Sequence, residues 1–166
     1  MLRDIQPPPA EPVTLEEAKL FLRVDHDAED ALIQTLIQSA RERLESYLGL
    51  AMIARPMVLD APAGACIHLP RWPVSSVQSV RADGTEAADY HVDLRRRPSV
   101  VRVAATQSVE VAFTAGYGPD LQDVPAPLRQ ATLLLVLQSY EARGETPSHL
   151  PLMVDALTLP YKGVGL

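Results

Sequence analysis

Apolar residues recur at two different spacings along this chain, and the change between them divides it. Around Ala18, Phe21 and Leu22 the spacing is helical, and Thr14 with Glu17 three residues on forms a capping-box pattern. A short helix is expected over residues 14–24. Asp25-His26-Asp27 reads as a linker, with Asp27 as cap of a second helix and Glu29 and Asp30 near its positive end. Ile33, Leu36, Ile37, Ala40, Leu44, Tyr47 and Leu48 then recur at three- and four-residue steps, while Gln34, Gln38, Arg41 and Glu45 take the opposite stripe. That pattern predicts an amphipathic helix over residues 28–48, ended by Gly49.

From residue 51 to 115 the period shortens to that of strands. Segments 55–59, 66–69, 74–81, 90–94, 100–104 and 109–113 are expected strands, separated by turn signals such as Ala82-Asp83-Gly84 and Arg97-Pro98. Val109, Val111 and Phe113 alternate with Glu110 and Ala112, as a sheet with one covered face requires. Pro56, Pro70 and Pro73 predict short or edge strands. The region reads as a small antiparallel sheet or barrel-like lobe inserted between helices.

Gly116 and Gly118 suit a tight strand-to-helix turn, and Asp123, Pro125 and Pro127 prepare a last helix with its body over residues 128–143 and Gly144 as its stop. This helix is apolar on nearly every face. A helix of that kind is buried at the centre of a core or covered by a neighbouring subunit. The residues beyond it hold Leu150, Leu152, Met153, Val154, Leu157 and Leu159 among Pro147, Pro151 and Pro160. A disordered tail is polar and charged, so this one is expected to dock onto something. At the other end, Pro7-Pro8-Pro9 and Pro12 predict an extended arm without hydrogen bonds of its own. The fold class is therefore α+β: two N-terminal helices and a long C-terminal helix with an inserted β lobe. The expected division is an arm over 1–13, a domain over 14–144 (helices 14–49 and 125–144, β insertion 51–115), and an extended tail over 145–166.

Composition narrows the function. With 166 residues, 47% of them hydrophobic, the chain is long enough to bury a substantial core. A net charge of −6 argues against a protein whose main work is gripping phosphates, yet an acidic wall suits nucleic acid that must slide past. Cys66 is the single cysteine, so no internal disulfide can form, and beside Ile67 it is expected to be buried. No apolar run reaches membrane-spanning length and no signal pattern opens the chain, so a soluble protein made in the cytoplasm is expected.

Candidate chemistry is sparse. His26, His68, His91 and His149 lie far apart without metal-ligand spacing. Gly116-Tyr117-Gly118 lacks the lysine and Ser/Thr of a phosphate loop. Asp27, Glu29 and Asp30 are explained as helix-start charges. No catalytic, cofactor-binding or metal-ligating set stands out. Arg95-Arg96-Arg97 is the one basic run, a solvated hairpin tip or a contact with a neighbouring subunit or nucleic acid backbone. Three classes remain: a structural interaction protein; an enzyme or small-molecule-binding domain on the β lobe; and a helix-turn-helix DNA binder. The last is disfavoured because the second helix shows Gln34, Gln38, Glu42 and Glu45 where positive charge is needed.

A family likeness runs through these elements. Val13-Thr14-Leu15-Glu16-Glu17-Ala18-Lys19, Leu22-Arg23-Val24-Asp25, Glu29-Asp30-Ala31-Leu32, Ala40-Arg41 and Glu45-Ser46-Tyr47 resemble the opening of the phage head–tail connector (adaptor) proteins, of the gp6-like or gp8-like group of long-tailed phages. Phe113-Thr114-Ala115-Gly116-Tyr117-Gly118, Val124-Pro125, Tyr140-Glu141-Ala142-Arg143 and Leu157-Thr158-Leu159-Pro160-Tyr161-Lys162 resemble that family's second half. Gene transfer agents use the same parts. The resemblance implies a non-enzymatic subunit, without cofactor, of a homo-oligomeric ring following the twelvefold portal. One face would meet the portal protein and the other a stopper or tail-completion protein, with DNA passing transiently through the lumen. It implies a place at the head–tail junction of a virion or gene transfer agent particle, after synthesis in the bacterial cytoplasm. On that reading Leu150, Leu152, Met153, Leu157, Leu159 and Tyr161 are the expected docking residues. Arg95, Arg96 and Arg97 are candidates for a subunit or channel contact, and Trp72 for an anchor.

Overall fold

The alternation of Val109, Val111 and Phe113 becomes the middle of strand Ser108–Ala115, with all three side chains buried. The computed structural model of the chain describes residues 1–64, 66–142 and 149–163. Its strands are β1 Leu2–Asp4, β2 Arg55–Pro62, β3 Ile67–His68, β4 Val74–Ala82, β5 Thr85–Glu86, β6 Tyr90–Asp93, β7 Val100–Val103 and β8 Ser108–Ala115. Its α-helices are α1 Leu15–Leu22, α2 Asp30–Leu48, α3 Ala126–Ala142 and α4 Leu152–Thr158. Two units form, one holding Met1–Pro9 and Gly49–Pro119 with Gly163, the other Ala10–Leu48 and Asp120–Lys162.

In the β unit a five-stranded sheet runs β1-β2-β8-β4-β5 and a three-stranded one β3-β7-β6, with every pair antiparallel. Met57, Leu59, Val80, Val111 and Phe113 of the first sheet share one core with Ile67, Val101 and Val103 of the second. The expected lobe is thus two sheets around a common interior.

Three local expectations are corrected here. The arm is not free of hydrogen bonds: Leu2–Asp4 pairs with Met57–Leu59, and Asp4 takes a 2.8 Å bond from the buried Arg55 guanidinium. The triple proline begins only after Gln6, so it ends this strand without preventing it. Pro56 does not mark an edge, because β2 lies between β1 and β8. Its nitrogen and carbonyl both face the end of β1, where the carbonyl accepts from the Ile5 N–H at 3.0 Å, so the bond its missing N–H forgoes lies at the end of that short pairing and not in the β2–β8 ladder. Cys66 is exposed, since pairing of its strand starts one residue later at Ile67.

The Ala82-Asp83-Gly84 turn signal yields a hairpin with Asp83 at φ 51 and Gly84 at φ 82, which brings in the short strand β5. Asp83 also gathers the opposite loop. Its carboxylate accepts from the Thr106, Gln107 and Ser108 N–H groups at 2.9, 2.8 and 3.0 Å and from the Thr106 hydroxyl at 2.8 Å. These donors, the Thr106 N–H foremost, hold its pKa well below the usual carboxylate range. Gly116 sits at φ 138, and a Cβ there would lie 2.3 Å from the Ala54 backbone. Only glycine fits this crossing, where the Tyr117 N–H reaches the Met52 carbonyl and the Ala54 N–H the Gly118 carbonyl.

In the helical unit the Thr14–Glu17 box forms in full, with bonds of 2.9 and 3.1 Å. α2 starts two residues later than its expected start. The Asp27 carboxylate, expected as its cap, accepts from Lys19 Nζ at 2.6 Å, and Asp30 accepts from the same ammonium at 2.7 Å. Ile33, Ile37, Ala40, Leu44 and Leu48 are buried as the periodicity predicts. Arg41 and Glu45, placed on the polar stripe, are buried too. Arg41 Nε donates to Glu11 at 2.7 Å and its Nη1 to Glu45 at 3.2 Å, so charge pairing carries this stripe inward.

α3 settles the alternative posed by its composition. It packs against α1, α2 and α4 of its own chain, and along its length only Ala126, Gln130 and Glu141 are exposed. Leu128, Ala131, Thr132, Leu135 and Val136 place it at the centre of this unit's core, with Leu133, Leu134 and Leu137 half-buried. Arg143 and the expected stop at Gly144 lie outside the described residues.

Candidate functional site

The C-terminal segment is not extended. After Pro151 it turns into α4, whose Val154 and Thr158, four residues apart, are fully buried on the side that meets α3. Proline is at home here because it precedes the first turn, where its missing N–H has no role. The opposite side is apolar and open. Leu152 is 88% exposed, and Met153 and Leu159 are also exposed, while Leu150, Leu157 and Tyr161 are half-buried. The six expected docking residues therefore separate into three that help seat the segment and three that remain available.

A polar clamp fixes this helix to the last turn of α2. Asp155 accepts from the Tyr47 hydroxyl at 2.8 Å and from Lys162 Nζ at 2.7 Å, and that ammonium lies 4.8 Å from the centre of the Tyr47 ring. The Lys162 hydrogen bond lowers the Asp155 pKa, and the Asp155 bond raises that of Lys162. Arg43 Nη2 donates to the His149 carbonyl at 3.2 Å. Arg43, Tyr47, His149, Leu150, Leu152 and Asp155 line a groove of about 330 Å³ beside the exposed leucine. Sequence patterning pointed to this segment, but the Tyr47–Asp155–Lys162 clamp has no signature in spacing because Tyr47 lies over a hundred positions from the other two.

The basic run lies in the loop between β6 and β7, and its three members differ. The Arg97 guanidinium stacks 4.5 Å over the Trp72 ring, which meets Tyr117 edge-on at 5.7 Å. Trp72 is half-buried, so its first role is packing within the β unit. Arg95 and Arg96 are exposed. Asp93 faces Arg96 at 3.9 Å and accepts from the Arg95 backbone N–H at 3.1 Å.

Among the described residues no group of three His, Cys, Asp or Glu could hold a metal ion, and no helix is long and apolar enough to cross a membrane. On the β unit a depression of about 190 Å³ is lined by Asp60, Arg81, Gly84, Ser108, Val109 and Glu110. Its charges answer one another across the strands: Arg3 meets Asp60 and Glu110 at 3.5 Å, and Arg81 meets Glu110 at 3.8 Å. Asp83, the carboxylate with the largest displacement, is committed to its turn.

Comparison with known proteins accounts for this architecture. The family described as phage gp6-like head–tail connector protein matches residues 12–80. A chain from the neck of an empty gene transfer agent (GTA) particle, computed with C6 symmetry, shares 26% identity at a TM-score of 0.84, covering 100% of this chain and 97% of that one. A chain from the virion of the native GTA particle gives the same values. A third, from the neck of the native particle computed with C12 symmetry, shares 28% identity at a TM-score of 0.79 over the same spans. No curated protein sequence matches. Fold, matched segment and full-length likeness agree with the resemblance drawn from the sequence and support a structural head–tail connector role for this chain. Neither the β-lobe enzyme nor the helix-turn-helix reading gains support.

Proposed function

We propose that identical copies of this chain form a ring at the neck of a phage or gene transfer agent particle. The ring joins the portal at the capsid vertex to a stopper or tail-completion protein and surrounds the passing DNA. The observation that carries this reading is the full-length likeness to neck chains, two of them from reconstructions with sixfold and twelvefold symmetry. Twelve copies would match a twelvefold portal. The net charge of −6 suits a wall along which DNA moves without sticking. No reaction is assigned to the subunit, which acts by shape and contact.

Leu152, Met153 and Leu159 form the surface assigned to the portal. They are apolar, adjoin a groove, and sit on a helix already fixed by Val154, Thr158 and the Asp155 clamp. Docking therefore needs little ordering of the segment, which favours affinity. The double substitution Leu152→Asp with Met153→Asp tests this. The purified subunit should keep its helical content and melting temperature, while its recovery with portal-containing particles should fall by about tenfold or more. Unchanged recovery would remove the portal assignment from this face.

A further inference from the structure

A second apolar surface stands at the corner where α1 gives way to α2. Leu20 is 82% exposed, Phe21 next to it on α1 is exposed, and so is Leu32 on the first turn of α2. Lys19 ties the two helices together here by bonding Asp27 and Asp30. Around these apolar groups the corner is acidic. Glu16 and Asp25 are exposed and have no ion-pair partner among the described residues, while the exposed bases are Arg23 and His26, the latter 4.0 Å from Glu29. The imbalance extends to the whole helical unit, in which Asp and Glu outnumber Lys and Arg two to one, whereas the β unit is nearly balanced.

A ring of more than two identical copies must join two different patches, because each subunit offers one face to the copy ahead and another to the copy behind. The second patch has to complement an acidic, apolar corner. The β6–β7 loop fits: Arg95 and Arg96 are exposed, the Arg95 guanidinium has no partner among the described residues, and Leu94 and Trp72 supply half-buried apolar surface at its base. We infer that the Leu20–Phe21–Leu32 corner of one copy receives the Arg95–Arg96 loop of the next. This rests on the ring reading and names the contact that closes the ring. The occupant is a second copy of this chain rather than DNA, because the loop's counter-surface is present on the chain itself in complementary charge and polarity.

A charge swap in assembled particles tests it. Arg95→Glu with Arg96→Glu places like charges against Glu16 and Asp25, so the number of copies at the neck should fall by about tenfold at low salt. Glu16→Lys with Asp25→Lys should fall likewise. All four substitutions in one chain should restore assembly, an outcome that a folding defect or lost DNA contact would not produce. Full assembly of either double variant, or no recovery in the fourfold variant, overturns the contact. Failure of the ring reading is seen separately, as wild-type particles that carry no ring of this chain.

Discussion

Asp83 shows how much one residue can organise. At φ 51 it sits in the left-handed region, which aspartate tolerates better than most residues, and its carboxylate collects three backbone N–H groups from the loop before β8. Because its folded pKa is depressed, the stability it contributes is complete above its unfolded value near about 3.9 and is lost as pH falls below that value. Asp83→Asn should therefore lower the melting temperature at neutral pH, and the gap from wild type should narrow on acidification below about pH 4. A gap independent of pH would detach this carboxylate from the turn's stability. Thr14 works more locally. Its hydroxyl accepts from the Glu17 N–H, and the reciprocal bond from the Thr14 N–H is the main cause of the lowered Glu17 pKa. Thr14→Ala should cost about 1 kcal/mol in urea unfolding. The box was legible from two residues at the right spacing, whereas the ligands of Asp83 were not, because they come from a loop over twenty positions away.

At the scale of elements, periodicity located α1, α2, α3 and most strands because each buries one face against its own unit. It failed where burial depended on a distant partner. Arg41 and Glu45 read as solvent-facing, yet pairing with Glu11 and with each other takes them inside. Leu2–Asp4 read as a free arm, since nothing local announces that β2 has an open edge to complete. α4 is the instructive case. Its prolines suggested an extended tail, but Pro151 stands ahead of the first turn and Pro160 beyond the last, leaving seven helical residues between them. The two faces of this helix should respond differently to the same chemistry. Val154→Asp would bury a charge against α3 and should release α4, seen as faster amide exchange across Leu152–Thr158. Asp at position 152 should leave exchange unchanged. Equal exchange in both variants would contradict the assigned orientation of α4.

For the whole molecule, composition said less than arrangement. The apolar last helix raised the question of a neighbouring subunit, and α1, α2 and α4 pack against it within the chain, leaving Leu133, Leu134 and Leu137 half-buried. The surfaces proposed for partners are smaller and more specific: the outward side of α4, the α1–α2 corner and the Arg95–Arg96 loop. Leu20 could have been noticed in the sequence, since it lies off the Ala18–Leu22 side of α1, but a helix of eight residues has too few turns for that to stand out. Net charge pointed away from a dedicated nucleic-acid binder without showing that the acidic excess gathers in the helical unit. The most direct measurement is electron cryo-microscopy of particles carrying this chain, reconstructed around the head–tail axis. The account predicts a closed ring of its copies between portal and tail, with α4 against the portal. Density for the chain elsewhere in the particle, or a neck without it, would contradict the account.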